Sequence, residues 1–261
     1  MNFNEQNLKT ALCGMMIGKT LYFFPETGST NTLAFRLAEE GASEGTVVIA
    51  DCQTEGRGRM KRKWLSPPGS NLYTSIILRP EMSSALASLI TITAGVAVAE
   101  LLSSYCPGAV HLKWPNDVLI NGRKVCGILA SAKTNGKRTK FVVLGIGLNI
   151  NMKKEDMPPD LRDSVTSLRE ETGGDLSRLF VTVKLFEQMG KFYHIFLNEG
   201  FAPIRDLWHD YSGVMNKYVE VARGEEVIRG RAAGVDETGA LILIDGDGEK
   251  RRVIAGDALL L

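Results

Sequence analysis

Apolar residues recur along this chain in two rhythms. Near the start, Leu8, Leu12 and Met15 fall on one face at helical spacing and predict a short amphipathic helix within residues 1–19. Leu21-Tyr-Phe-Phe24 and Thr46–Asp51 are apolar runs of strand length. Between them Leu33, Leu37 and Ala38 return to helical spacing, and Ser29 or Thr30 suits the N-cap ahead of them. Thr27-Gly-Ser-Thr-Asn31 is therefore expected to turn a strand into a helix. Asn71–Leu78 alternates as a strand. Residues 83–105 form the longest helical pattern and are apolar round most of the circumference, which predicts a helix packed on a sheet. Val110–Asp117 reads as a strand. Pro115 forces an extended Trp114 and has no amide hydrogen, so the end of that strand is expected to bulge and aim Asn116 and Asp117 into a shared space. Asn121-Gly122 and Asn135-Gly136 are hairpin turns joining strands over Lys124–Ser131 and Lys140–Asn149.

Residues 151–175 are polar and read as one long loop, of the kind that serves as a lid. Helical patterns cover about 176–199 and 203–211. Past Lys217 come four short strands, Tyr218–Ala222, Glu226–Gly230, Ala240–Ile244 and Arg252–Ile254, divided by Gly/Asp turns. The pattern gives an α+β fold: an antiparallel meander with packed helices, followed by a small C-terminal β-barrel. The expected division is an N-terminal extension over 1–19, a main domain over 20–213 and the barrel over 214–261.

Composition changes little in this picture. The chain has 261 residues, 44% hydrophobic and 23% charged, with a formal net charge of +1. Bulk electrostatic binding to nucleic acid or to membrane is not indicated. Cys13, Cys52, Cys106 and Cys126 are scattered, with no CxxC pair, and fit reduced thiols in the cytoplasm. No secretory leader and no uninterrupted apolar run of about 18 residues is visible.

The candidate chemistry is concentrated in one stretch. Gly56–Trp64 holds five cations and two glycines in nine residues, and it follows the apolar run ending at Asp51. Glycine lets backbone approach a ligand closely, and guanidinium groups grip phosphate and carboxylate oxygens in a planar fork. The ordinary reading of such a run is a solvated face or a nucleic-acid tail. Its internal position between two strands argues instead for a loop that closes over a polyanion. Other glycine-rich signals fail. Gly14–Thr20 has three residues between its glycines where a P-loop needs four, and no strand precedes it. Gly145-Ile-Gly147 has Ile150 where a dinucleotide fingerprint needs its third glycine. Glycines alternating inside a strand mark a close approach by a ligand or another chain.

Five blocks then occur in order: Ser-Thr-Asn at 29–31, Gln53 before Gly-Arg-Gly-Arg at 56–59, Lys-Trp-Pro-Asn-Asp at 113–117, Lys124 before Gly-Ile-Leu at 127–129, and Gly-Ile-Gly-Leu-Asn at 145–149. In this the chain resembles the biotin protein ligases, or biotin–[acetyl-CoA-carboxylase] ligases, from about residue 20 to the end. The resemblance implies a class II synthetase-like catalytic domain with a mixed sheet, followed by an SH3-like barrel. It also implies two half-reactions with biotin and ATP as substrates and Mg²⁺ on the phosphates. Biotin would be activated as biotinyl-5′-AMP and passed to a lysine of a biotin carboxyl carrier domain.

Carried over residue by residue, Arg57, Arg59 and Lys124 would be catalytic cations. Ser29, Thr30, Asn31, Gln53, Arg57, Gly58, Arg59, Lys124, Gly127, Gly145 and Gly147 would contact biotin. The three glycines in strands would make room for its bicycle and tail. Arg59, Trp64, Asn116, Lys124 and Asn149 would contact ATP, and Asp117 would hold the metal. Lys113 and Trp114 are read as structural, and His111, His194 and His209 are assigned nothing.

Two positions depart from the family pattern: Lys61 stands where a third loop glycine is common, and Ser131 where an acidic residue is common. Some members carry an N-terminal DNA-binding domain. Residues 1–19 are too short for one, so no operator binding is expected, while a homodimer is left open. The alternatives are a lipoate–protein ligase, whose motif is not visible, and a non-enzymatic Arg-Gly nucleic-acid binder. Residues 55–66 and part of 151–175 are expected to be mobile without ligand, because they are charged and lack apolar anchors.

Overall fold

The computed structural model describes residues 2–223 and 226–260, so the expected domain ends at Met1 and Leu261 lie outside the described residues. Strand β1 (Thr20–Thr27) leads through helix α2 (Thr30–Glu39) to β2 (Thr46–Gln53), which lies parallel to β1. A parallel pair needs a crossover connection, and α2 supplies it. Next come β3 (Leu72–Leu78), helix α3 (Ser88–Ser103), β4 (Val110–Lys113), β5 (Asp117–Ile120), β6 (Arg123–Asn135) and β7 (Arg138–Leu148). Seven strands form one mixed sheet in the order β1-β2-β3-β7-β6-β5-β4, antiparallel everywhere except β1–β2.

The two faces of the sheet are covered unequally. On one side α3 packs with helices α5 (Arg178–Glu199) and α6 (Ala202–Tyr211) to form the main core. The segment Ser84–Ser103 is long and apolar enough to cross a membrane by composition, yet 67% of it is buried inside the protein. It is a core helix. On the opposite face α2 covers only part of the sheet, packing Ala34 and Ala38 on Val48, Ile77, Phe141 and Val143. The rest of that face is open to loops.

Helix α1 (Glu5–Ala11) is capped by Asn4 Oδ1, which accepts from the Asn7 amide. Its Leu8, and Leu12 just beyond it, are buried in the main core. The C-terminal part is a five-stranded antiparallel sheet made of β8 (Tyr218–Arg223), β9 (Glu226–Val235), β10 (Leu241–Ile244), β11 (Lys250–Val253) and β12 (Asp257–Leu260), in the order β11-β10-β9-β8-β12.

Four expectations need correction. The longest helix is α5 with 22 residues, against 16 for α3. It begins where Ser177 Oγ accepts from the Phe180 amide, and buries Leu185, Phe186, Met189, Phe192, Tyr193 and Phe196 at i, i+3 and i+4 spacing. Val110–Asp117 is two strands rather than one with a bulged end: Lys113 pairs with Asp117 across a tight turn containing a cis Trp114–Pro115 bond. Residues 151–175 contain helix α4 (Leu168–Thr172), and Met152, Met157 and Leu168 are buried, so this stretch does have apolar anchors. Strand β12 was not anticipated: its run Asp-Ala-Leu-Leu lacks the alternation of a half-buried strand.

The two sheets meet at the turn between β9 and β10. Trp114, 2% exposed, donates from Nε1 to the Gly239 carbonyl at 3.0 Å, which agrees with its structural reading. Gly239 lies in the left-handed region at φ +81, and a Cβ there would come 2.8 Å from Ile92 Cδ1. Asp236 builds the turn by accepting from the Thr238 hydroxyl and amide and from the Ala240 amide, with Arg252 alongside. Burial works to raise the Asp236 carboxyl, but these hydrogen bonds outweigh it and hold it at about 2.

Trp114→Phe removes the indole N–H together with part of the ring, and the buried carbonyl it orphans costs about 1–3 kcal/mol by itself. Urea unfolding is expected to show a lower midpoint with an unchanged slope, and an unchanged midpoint would remove this contact from the joint. Asp236 titrates below its unfolded value, so its stabilisation is present above pH about 4 and is lost as the pH falls toward 2. Asp236→Asn is expected to flatten the thermal stability profile across that interval. A profile as steep as wild type would show that other carboxylates dominate.

Candidate functional site

The open half of the sheet face carries a strip without side chains. Gly127 on β6 pairs with Gly147 on β7, and Gly145 lies two residues back on the same face. Each is filled by a neighbour. A Cβ at Gly147 would come 2.5 Å from Trp64 Cε2, one at Gly127 2.7 Å from Trp64 Cζ3, and one at Gly145 3.2 Å from Asn31 Nδ2. These glycines were expected to make room for a ligand; here the room is taken by Trp64 and Asn31. Trp64, expected to contact ATP, lies in the trough itself. Its indole Nε1 is buried without a hydrogen-bond partner.

The basic loop delivers Trp64 to this place. The loop closes on itself as a short ladder: the Trp64 amide donates to Gly56 O at 2.9 Å and the Gly58 amide to Arg62 O at 2.8 Å. Gly56 is required, because a Cβ there would lie 2.3 Å from Trp64 O. At the tip Met60 and Lys61 both have left-handed backbone, φ +53 and +61. Lys61 thus occupies the conformation for which glycine is favoured, at a cost of roughly 1 kcal/mol.

The loop and the strip enclose a cavity of about 270 Å³. Every candidate residue from the sequence lines it: Ser29, Thr30, Asn31, Gln53, Arg57, Gly58, Arg59, Trp64, Asn116, Asp117, Lys124, Gly127, Gly145, Gly147 and Asn149. Several of their polar groups are already engaged. Ser29 sits at the N-cap of α2, but its hydroxyl makes no capping bond and is buried without a partner. Gln53 does the capping: its Oε1 accepts from the Thr30 amide at 2.9 Å and from Thr30 Oγ1 at 3.1 Å, and its Nε2 donates to Ser66 Oγ at 2.9 Å. The Gln53 amide, expected to meet biotin's ureido group, is spent on this frame. Asn149, expected to contact ATP, is deeply buried, donating to Thr166 O and accepting from Asn71 Nδ2.

Charges are paired inside the cavity. Lys124 Nζ lies 2.7 Å from Asp117 Oδ1 and 5.3 Å from the centre of a Trp64 ring. Arg59 Nη1 donates to Asn116 Oδ1 and to Asp257 Oδ1, both at 2.9 Å, and Arg62 Nη1 reaches the other oxygen of Asp257 at 2.8 Å. Asn116 is fixed in turn by donating to Ile128 O. Arg57 makes no ion pair among the described residues, and its backbone bridges to Lys63.

Asp257 is the residue that sequence reasoning missed. It comes from the last strand, and only its position at the start of β12, next to Gly256, could have drawn attention. Met152, Met157, Leu161 and Val165 from the long segment wall the cavity with apolar surface and were also not foreseen. No group of three or more His, Cys, Asp or Glu side chains among the described residues could hold a metal ion. Asp117, with one oxygen paired to Lys124, suits only an ion that brings its remaining oxygen ligands on a phosphate.

Comparison with known proteins agrees with this architecture. A model of the biotin/lipoate A/B protein ligase family matches residues 23–149, and one of the biotin protein ligase C terminal domain matches residues 214–261. The bifunctional ligase/repressor BirA of Bacillus subtilis is 34% identical over 248 residues, spanning 95% of this chain and 76% of its own. The biotin–[acetyl-CoA-carboxylase] ligase of Paracoccus denitrificans is 34% identical over 221 residues, 83% of this chain and 91% of its own. Among solved structures, the biotin protein ligase of Aquifex aeolicus in complex with biotin and ATP has a TM-score of 0.79 at 30% identity, covering 93% of this chain and 99% of that one. With the same fold, a family match at both ends and a relative 34% identical along most of its length, this chain belongs to the biotin protein ligase family.

Proposed function

We propose that the chain activates biotin with ATP as biotinyl-5′-AMP and transfers the biotinyl group to a lysine of a biotin carboxyl carrier domain. The observation that carries this reading is the division of one cavity into two chemistries. Around Gly145 stand uncharged groups, Ser29, Thr30 and Asn31; around Gly127 and Gly147 stand Lys124, Asp117 and the arginine loop. The two regions lie about 7 Å apart along the strand, at roughly 3.3 Å per residue. An uncharged polar head and a carboxylate tail on one ligand fit that spacing.

In the first step a carboxylate oxygen attacks the α-phosphorus and pyrophosphate leaves. Two anions must approach, so the barrier is chiefly electrostatic, and fixed cations lower it without reorganisation. Arg57 and Arg59 would hold the carboxylate and phosphates. Lys124 would bridge carboxylate and α-phosphate and follow charge toward the leaving group. Asn116 serves by orienting Arg59. In the second step a lysine amine attacks the carbonyl carbon and AMP leaves; here the protein contributes position more than covalent chemistry. Mg²⁺ fits at Asp117 only as an ion delivered with the nucleotide, and it would offset phosphate charge there.

Four free cysteines support a reducing compartment such as the cytoplasm. A lipoate ligase is the second reading, because the matching family model includes both classes.

The test is mass spectrometry of a carrier domain incubated with the protein, Mg-ATP and biotin or lipoate. A gain of one biotin is expected, and with Lys124→Ala the adenylation rate should fall about a hundredfold or more while the melting temperature stays unchanged. A gain of lipoate alone, or full activity in the variant, would overturn the reading. Trp64 also reports on binding directly. Trp114 and Trp208 are both 2% exposed and remote from solvent, whereas Trp64 lines the cavity. Biotin with ATP is expected to change the intrinsic fluorescence, and Trp64→Phe to abolish that change. A full response in the variant would show that the indole does not move with ligand.

A further inference from the structure

A buried carboxylate outside the cavity lining, Glu171, ties the strand that carries Lys124 to the apolar wall beside it. Regular pairing of β6 with β7 ends at Cys126 and Leu148. Against β5 the register shifts between Val118 and Leu119, which face Cys126 and Lys124. A shift of this kind re-aims a side chain and interrupts the ladder. The backbone of Lys124 turns instead to the segment beyond β7. Its amide donates to Ser164 O at 2.8 Å, and its carbonyl accepts from the Thr166 amide at 2.9 Å. Val165, between those two residues, lines the cavity. The same segment is held to the end of β7, where Asn149 Nδ2 donates to Thr166 O at 3.0 Å.

Glu171 locks this patch from α4, with its side chain 5% exposed. Its Oε1 accepts from Thr166 Oγ1 at 2.7 Å and from Arg123 Nη2 at 2.8 Å. Its Oε2 accepts from Asn121 Nδ2 at 2.8 Å, at the turn between β5 and β6. One carboxylate therefore grips the residue before Lys124 and the residue whose amide holds the Lys124 carbonyl. A buried carboxylate is stable only where donors surround it, so these partners are held as one unit.

A lysine in this role needs such support. Its ammonium sits on a flexible four-carbon stem, so where it can act depends on where its backbone is fixed. Misplacing a reacting group by about 1 Å can cost on the order of a hundredfold in rate.

We propose that Glu171 is a positioning residue for the adenylation step: through Arg123 and Thr166 it fixes the backbone from which Lys124 reaches the carboxylate and the α-phosphate. The inference rests on the reading of Lys124 as the cation of that step. It also makes residues 164–171 a fixed strut of the site.

The experiment measures the two half-reactions separately on the whole chain. Adenylation is followed as pyrophosphate release in a single turnover with saturating biotin and Mg-ATP, and transfer as labelling of a carrier domain from added biotinyl-AMP. Glu171→Ala should slow adenylation about tenfold, with transfer near the wild-type rate. Thr166→Val, which keeps the side-chain shape and removes only the hydroxyl, should slow adenylation by a smaller factor, and Thr166→Ser should restore it. Because both changes act through one contact, Thr166→Val should add nothing in the Glu171→Ala background. Hydrogen exchange at the Lys124 and Thr166 amides should quicken in the slowed variants. Wild-type adenylation in Glu171→Ala and Thr166→Val would overturn the proposal. So would equal slowing of both half-reactions, which is what a general loss of structure produces. If Glu171→Ala does not fold, Thr166→Val with its serine control decides alone. Full adenylation by Lys124→Ala, or none by wild type, would instead overturn the reading on which the inference rests, so the two failures are distinguishable.

Discussion

The site depends on one constraint, the absence of side chains along a short strip of the sheet. Gly127 and Gly147 face each other across β6 and β7, and Trp64 lies so close that a single methyl group at either would collide with its ring. Nothing flexible absorbs such a collision: the ring is rigid and the strands are hydrogen-bonded on both sides. The strip lets the basic loop come down onto the sheet, and the loop's descent makes a cavity out of an open face. The uneven helix cover has the same consequence. Three helices on one face give the core, while α2 alone on the other leaves β6 and β7 available.

The charges follow from this geometry. Of the loop cations only Arg59 is half-buried, and the fold sets Asp257 against it and against the exposed Arg62, as it sets Asp117 against the half-buried Lys124. These pairs are about a quarter exposed on most of their members. Pairs in such partly solvated positions contribute on the order of 0–1 kcal/mol. They are strong enough to hold the side chains in place and weak enough to give way to a phosphate, which carries more charge and more acceptor oxygens than a carboxylate. Asp257 also ties the loop to the C-terminal sheet, so the small sheet completes the wall of the cavity in addition to extending the fold.

Much of this was legible in the sequence, and the reasons differ by element. Strands β1, β2, β3 and β7 announce themselves as apolar runs, and the Asn-Gly turns fix the hairpins on either side of β6. The five blocks of site residues all converge on one cavity, because glycine, arginine and Trp-Pro leave few alternatives for the backbone or the chemistry around them. What was not legible is the set of contacts that depend on residues far apart in the chain. Asp257 meets Arg59 across 198 positions. Gln53 resembles a ligand contact as readily as a helix cap, and only the distance to Thr30 decides. Met152 and Met157 look like isolated apolar residues in a polar segment, since an irregular path buries them without periodicity.

Lys61 shows how far a local rule can be overridden. A lysine in left-handed backbone is unfavourable by roughly 1 kcal/mol, and a loop that relied on glycine freedom at this point would be expected to open or shift. Here the loop is closed, because its shape is set elsewhere. The Trp64–Gly56 and Gly58–Arg62 hydrogen bonds close the ladder below the tip, and the indole is held between the glycines of the sheet. The strain at the tip is smaller than what these contacts return together. The glycines that matter to this loop are therefore Gly56 and the two beneath Trp64, where atoms would collide, and not the position at its tip, where only a backbone preference is violated.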